Sequence, residues 1–260
     1  STHDYVLIFT NRGRVYWLKV HEIPEGGRAA RGRPIVNLIK LLPEESIAAI
    51  LPVSAFEEGR YVVMATKKGV IKKTALSAFS RPRTDGIIAA AIDEGDSLID
   101  AQLTDGSREI FLGSKNGLAI RFHEDILRPI GRVARGVRGM SLECGDEVVG
   151  MEVLSGDATI LTITEHGYGK RTKSSEYRIQ GRGGKGIITI KTTERNGSVV
   201  GIKQVTDDDH LMIITSTGKI IRIAVSDISV IGRNTQGVRL ITIEKNEQVV
   251  GVARLAEQEA

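Results

Sequence analysis

Ile160-Leu161-Thr162-Ile163, followed by His166-Gly167 and then by Lys170-Arg171-Thr172, is the stretch that decides the fold. It reads as an apolar strand, a tight turn and a second, partly basic strand. The apolar run is short and rich in β-branched residues, which suits a buried strand better than a helix. The glycine supplies the positive φ that a two-residue hairpin turn demands. The same unit recurs four more times. Its opening runs are Val6-Leu7-Ile8-Phe9, Val62-Val63-Met64-Ala65, Glu109-Ile110-Phe111-Leu112 and Leu211-Met212-Ile213-Ile214. The turn glycines are Gly13, Gly69, Gly117, Gly167 and Gly218, spaced by 56, 48, 50 and 51 residues. A second glycine follows 17 to 19 residues later, at Gly32, Gly86, Gly136, Gly186 and Gly237. A closing apolar stretch begins near Ser46, Ser97, Glu147, Ser198 and Gln248.

Five copies of three landmarks in register define a repeat protein. No long 3.6-residue apolar period survives anywhere, so the expected fold is all-β. A repeat of about fifty residues with several strands points to radial blades, as in a propeller. The repeats fall near residues 1–53, 54–104, 105–154, 155–205 and 206–260, within one domain spanning 1–260. The signatures of WD40 units are absent, and no aromatic landmark of the kelch kind recurs. The first glycine of each repeat reads as backbone geometry.

Composition excludes several classes. Hydrophobic residues make up 41% and charged residues 26%, which is not a disordered composition. The single Cys144 cannot form an internal disulfide, and no signal peptide opens the sequence, so a cytoplasmic setting is expected. No apolar run approaches the ~20 residues of a membrane helix. The five histidines are scattered without ligand spacing, and no metal site is expected.

Net charge is only +4, but the placement of the charges is ordered. Around the second glycine lie Gly27-Arg28-Ala29-Ala30-Arg31-Gly32, Arg81-Pro82-Arg83-Thr84-Asp85-Gly86, Gly131-Arg132-Val133-Ala134-Arg135-Gly136, Gly181-Arg182-Gly183-Gly184-Lys185-Gly186 and Gly232-Arg233-Asn234-Thr235-Gln236-Gly237. Every repeat carries at least one arginine on this loop. Four residues past each turn glycine stand Trp17, Lys73, Arg121, Arg171 and Arg222, with Lys72 and Lys170 beside two of them. Acidic residues collect near the closing strand, at Glu44-Glu45, Asp93-Glu94-Asp96, Asp146-Glu147, Glu194 and Glu244 to Glu247. Equivalent positions of radial units would form a ring with one basic edge.

Such an edge suits a polyanion with a regular backbone, and duplex DNA carries about one charge per ~1.7 Å of axis. Arginine forks fit phosphate oxygens, and neighbouring glycines would let backbone N–H groups approach them. The expected DNA-contacting residues are Arg28, Arg31, Arg33, Lys73, Arg81, Arg83, Arg121, Arg132, Arg135, Arg138, Lys170, Arg171, Arg182, Lys185, Arg222, Arg233 and Arg239. Aromatics are only 4%, too few for stacking single-stranded bases, and no recognition helix is visible. Backbone contact with bending of the duplex is the expected mode.

At this point the residues resemble a family. Gln180-Gly181-Arg182-Gly183-Gly184-Lys185-Gly186 resembles the glycine-rich basic heptapeptide known as the gyrase A box. Arg12-Gly13-Arg14-Val15-Tyr16, the run Arg31 to Leu38, Gly167-Tyr168-Gly169-Lys170-Arg171-Thr172 and Gly232 to Val238 are also similar to the DNA gyrase A C-terminal domain. The resemblance covers essentially the whole chain. It implies a six-bladed β-pinwheel whose neighbouring blades exchange a strand. It implies DNA wrapped with positive handedness on a basic rim, in service of ATP-dependent negative supercoiling. The partners implied are duplex DNA, the rest of the gyrase A polypeptide and gyrase B in an A2B2 complex, in the bacterial cytoplasm at the nucleoid. The isolated domain is expected to be monomeric and free of membrane. No cofactor is expected in it, because ATP, Mg2+ and the catalytic tyrosine belong elsewhere in the enzyme.

Two features depart from the family pattern. Five repeats are visible rather than six, and the box-like stretch lies in the fourth, whereas the family's box lies in the first blade. The expectation is that a first blade with the true box precedes Ser1 and that the family's acidic tail follows Ala260. Gly181 also stands where the box carries a basic residue. Gln180 to Gly186 therefore reads either as a box or as one more rim loop.

Three rivals stand beside this reading. Gly181, Gly183 and Gly186 match a dinucleotide fingerprint, but Ile187-Ile188-Thr189-Ile190 follows as a strand where a helix is required. A propeller serving as a protein-interaction platform would not need a basic residue in every loop. The C-terminal domain of the topoisomerase IV A subunit is a close relative with less regular repeats.

Overall fold

The computed structural model describes residues 2–26, 34–156 and 159–255. In the first four repeats the opening run becomes a strand with side chains buried or half-buried on both faces, as a nearly continuous apolar run requires, whereas in the fifth Leu211 and Ile213 are buried, Met212 is half-buried and Ile214 is exposed. The strands in chain order are β1 (Tyr5–Thr10), β2 (Arg14–Lys19), β3 (Ile47–Val53), β4 (Tyr61–Thr66), β5 (Val70–Ala75), β6 (Ile87–Ile88), β7 (Leu98–Thr104), β8 (Glu109–Ser114), β9 (Leu118–His123) and β10 (Val137–Arg138). They continue with β11 (Val148–Leu154), β12 (Thr159–Thr164), β13 (Tyr168–Lys173), β14 (Ile187–Ile188), β15 (Val199–Val205), β16 (His210–Thr215), β17 (Ile220–Ala224), β18 (Val238–Arg239) and β19 (Val249–Leu255). Short 3₁₀ turns are the only helices among the described residues, so the fold is all-β.

The strands form five antiparallel sheets, ordered β3-β1-β2-β6, β7-β4-β5-β10, β11-β8-β9-β14, β15-β12-β13-β18 and β19-β16-β17. Each sheet is one blade. In four of them the edge strand is borrowed: the dipeptide just after the second glycine pairs with the blade of the preceding repeat. The chain forms two compact units. The first holds residues 1–107 and 127–138, the second 108–126 and 139–260. Within each unit the closing strands of neighbouring blades pack together, β3 on β7 in the first, and β11 on β15 and β15 on β19 in the second.

The hairpins correct one expectation. Phe9 pairs with Val15 and Ile163 with Gly169, which leaves more residues in the loop than the two expected. In each blade the turn glycine's N–H donates to the carbonyl three residues earlier, as Gly167 does to Thr164 at 3.0 Å. Gly167 itself sits at φ +77°. This is the longer hairpin connection in which a turn is followed by a left-handed residue. The acidic residues near the closing strand serve these loops. Asp96 accepts the Lys68 N–H at 2.9 Å and Asp146 accepts the Asn116 N–H at 3.0 Å. The segregation of acid seen in the sequence is thus partly structural.

The second glycine has a structural reason too. Gly186 lies at φ +81°, and a Cβ there would fall 2.3 Å from the carbonyl oxygen of Ala119 on β9. Only a residue without a side chain lets the borrowed strand reach its host so closely. Replacing Gly186 by Ala is expected to destabilise the protein by about 1–3 kcal/mol through backbone strain and displacement of β14. Gly181 is the control, because a methyl group placed there would meet nothing within 4 Å. Its alanine variant should shift the urea midpoint little, and equal shifts for the two would refute the account.

Candidate nucleic-acid interface

Between the hairpin and the borrowed strand, each chain segment crosses to the neighbouring blade. A 3₁₀ turn delivers one large side chain into that neighbour. Phe79 packs edge-on against Phe9 with centroids 5.8 Å apart, and Tyr177 does the same with Phe111 at 4.8 Å. Such pairs contribute about 0.5–1.5 kcal/mol beyond area burial. The carbonyl of the same residue is gripped by the position four past the turn glycine. Arg121 Nη1 donates to Tyr177 O at 3.1 Å and to Ser174 O at 2.6 Å, and Arg171 Nε donates to Ile228 O at 2.8 Å. Trp17 performs this task with its indole N–H, which donates to Phe79 O at 2.8 Å. The shared property of this row is therefore a long side-chain donor. That explains a tryptophan among cations.

These contacts remove four residues from the expected DNA-contacting set. Lys73 is 4% exposed and lies 5.2 Å from the Tyr61 ring centroid. Arg121 is paired with Glu109, Nη2 to carboxylate at 2.5 Å, besides its two carbonyls. Arg171 is 5% exposed and ion-paired to Asp207. Lys170 is wholly buried. Lys73, Lys170 and Arg171 are buried away from a phosphate, and the guanidinium of the half-buried Arg121 is already taken by a carboxylate and two carbonyls. Arg222, the fifth member of the row, is exposed.

Lys170 and Lys72 form a second recurrent device. Lys170 Nζ donates to the carbonyls of Gly232 (2.6 Å) and Arg233 (2.7 Å) and to Thr172 Oγ1 (3.0 Å). Lys72 Nζ donates to the carbonyls of Ala89 (2.9 Å), Gly131 (3.0 Å), Arg132 (2.6 Å) and Ala134 (2.9 Å). Each lysine thus clamps the Gly-Arg loop of the next repeat from beneath. The loop at Gly181 rests instead over Ile120, which lies 3.6 Å from the Cβ position of Gly184. Its carbonyls at Gly183 and Gly184 take the Ser141 hydroxyl and N–H at 2.8 and 2.9 Å. The sequence marked both lysines as basic. The signal for a clamp is their place three residues past the turn glycine, one register step from the donor row.

The loop arginines themselves are tied laterally. Arg132 Nη1 donates to Ile88 O at 3.0 Å, and Arg233 Nη1 donates to Ile188 O at 2.9 Å. Both acceptors belong to the borrowed strand of the preceding repeat, so consecutive loops sit side by side within each unit. Ala91 N–H to Ala134 O (3.3 Å) and Lys191 N–H to Thr235 O (2.8 Å) add a second tie. Arg81, Arg83, Arg135, Arg138, Arg182, Lys185 and Arg239 are exposed. Arg135 pairs with Asp93, and Lys185 with Glu143 at 3.3 Å. Exposed pairs of this kind are worth about 0–1 kcal/mol and yield readily to a stronger anion. The glycine amides expected to face phosphates are partly engaged within the protein. Gly183 N–H donates to Gly139 O at 2.6 Å and Gly86 N–H to Arg83 O at 2.9 Å. Arg28, Arg31 and Arg33 lie outside the described residues.

One family matches the chain repeat by repeat. The family described as DNA gyrase C-terminal domain, beta-propeller, covers residues 4–54, 60–105, 108–155, 158–206 and 209–256. The chain belongs to this family. The A subunit of DNA gyrase from Salmonella typhimurium is 54% identical over 257 residues, which is 99% of this chain and 29% of that protein. The chain thus spans under a third of the length of this gyrase relative. Among solved structures, the C-terminal domain of DNA topoisomerase IV superposes with a TM-score of 0.90 at 30% identity, covering 98% of this chain and 80% of that one. The DNA gyrase A C-terminal domain gives 0.85 at 26% identity, covering 98% and 83%. In this gyrase-family chain no three His, Cys, Asp or Glu side chains gather as metal ligands among the described residues. No described helix is long and apolar enough to cross a membrane.

The clamp lysines carry a pH signature. Burial pushes Lys170 down from 10.5 to about 8, with Glu176 opposing and Arg233 adding to the shift. Between about pH 8 and 10.5 the unfolded chain then holds this proton and the folded chain does not, so the group's contribution to stability rises with pH across that window. The stability of the parent relative to Lys170→Met should therefore climb from pH 8 toward 10. Urea titrations at several pH values measure it, and a flat difference would contradict the shift.

Proposed function

We propose that the protein binds duplex DNA through its Gly-Arg loops without reading sequence, and wraps it, as the DNA gyrase A C-terminal domain. The observation that carries this reading is the lateral stitching of consecutive loops by Arg132 to Ile88 and Arg233 to Ile188. It holds neighbouring cations in a fixed row, as contact with a regular phosphate backbone requires. The contact residues in this reading are Arg81, Arg83, Arg132, Arg135, Arg138, Arg182, Lys185, Arg222, Arg233 and Arg239, together with Arg28, Arg31 and Arg33. Gln180 to Gly186 serves here as one loop of that row. The reaction it supports is ATP-dependent negative supercoiling by an A2B2 assembly with gyrase B, in the bacterial cytoplasm at the nucleoid. The catalytic tyrosine, ATP and Mg2+ act in other parts of that assembly, and this domain uses no cofactor.

Affinity for linear duplex should fall steeply with salt, with a log–log slope steeper than about −4. Binding indifferent to salt would end this reading. Arg182→Ala should weaken all duplex sequences alike and reduce the slope by about one. A changed sequence preference would speak against backbone contact.

A second reading, the corresponding domain of topoisomerase IV, is favoured by the close superposition on that domain. Nicked circles religated with the protein bound separate the two. Positive writhe is expected for the gyrase role, and binding without any change in topology would overturn the wrapping claim.

A further inference from the structure

Blade four holds a cluster from which the proposed duplex row draws only Arg239. Tyr168 opens β13 with its ring buried, and its hydroxyl oxygen accepts from Arg239 Nη2 at 2.9 Å and from Arg195 Nε at 3.3 Å. Both guanidinium groups also lie against the ring, at 5.1 Å for Arg195 and 5.4 Å for Arg239. Arg239 arrives on the borrowed strand β18, and Arg195 on the loop before β15. Both arginines are exposed, and neither makes an ion pair with a carboxylate among the described residues. The three residues line a cavity of about 430 Å³ together with His166 and Gln248.

The carboxylates at this cavity are already engaged. Glu244 pairs with Lys219 at 2.6 Å. Glu247 accepts from the Glu244 N–H and from the Thr217 and Thr215 hydroxyls, which hold its carboxyl down at about 2. Two cations without counter-ions therefore converge on one phenol. An anion entering between them would meet two cations at once. The phenol oxygen accepts from both arginines, so its own proton remains to be donated. Hydrogen bonds from the two arginines lower the phenol's pKa and make it a better donor. A carboxylate would be satisfied by a single guanidinium fork. Two forks and a hydroxyl suit an anion with more oxygens.

We propose that Tyr168, Arg195 and Arg239 form a binding site for a phosphate group, supplied by a duplex backbone or by a free phosphate compound. The site shares Arg239 and its ligand chemistry with the duplex reading and otherwise stands apart from it.

Calorimetric titration with inorganic pyrophosphate and, separately, with a short duplex tests it. Pyrophosphate should bind the parent saturably, and Arg195→Gln/Arg239→Gln should abolish that binding. Tyr168→Phe should weaken it by roughly three- to tenfold, the loss of one hydrogen bond. If the duplex is the source, Arg195→Gln alone also lowers duplex affinity several-fold and makes the salt slope about one unit shallower. If the source is free phosphate, Arg195→Gln alone, which leaves every proposed duplex contact in place, loses pyrophosphate binding while its duplex binding stays at the parent's level. Should the Gln variant not fold, Arg195→Lys/Arg239→Lys keeps the charges without the forks and should still bind pyrophosphate more weakly than the parent. Parent-like binding of both ligands by folded variants overturns the site. A parent that ignores duplex DNA but takes pyrophosphate in an arginine-dependent way overturns the duplex reading alone.

Discussion

The borrowed edge strand is the constraint from which the other features follow. A dipeptide from each of four repeats completes the sheet of the repeat before it. To do so the chain must leave its own blade, cross a seam and approach a foreign backbone closely enough that Gly186 could carry no side chain. The crossing segment is the basic loop. Its position beside a sheet edge is thus fixed by strand pairing before any charge is considered. The charge is then presented at the surface.

Two kinds of cation share this seam, and they act differently. Lys72, Lys170, Arg121 and Arg171 point inward and satisfy carbonyls that the crossing leaves without strand partners. A buried carbonyl without a donor costs about 1–3 kcal/mol, which is reason enough to place a cation there. Arg135, Arg182 and Lys185 point outward. The loop arginines Arg132 and Arg233 are half-buried and place one nitrogen on a carbonyl of a neighbouring borrowed strand.

The period of the repeat, the strands and the all-β class were legible because glycines and apolar runs act locally and recur. The segregation of charge was legible too. Its division into struts and exposed contacts was not, since a side chain's direction depends on which strand is borrowed. The tryptophan at position 17 held the clue, because a row that accepts an indole is selecting a donor rather than a charge. The turn length was misread for a similar reason. The glycine marks the left-handed position, but pairing of Phe9 with Val15 sets where the loop begins. Tyr168 and Arg195 were invisible as a site because their meeting with Arg239 depends on β18 lying against β13.

Strand lending also bears on how such a chain can lengthen or shorten. Because an interior repeat gives one edge and takes another, inserting or deleting a whole repeat regenerates the same junction on both sides. No new kind of interface has to be invented. The clamps and donors travel with the repeat as well, since each reaches only within its own repeat and into the next one. Blade number can therefore drift in descent while the strand pairing across each seam is preserved.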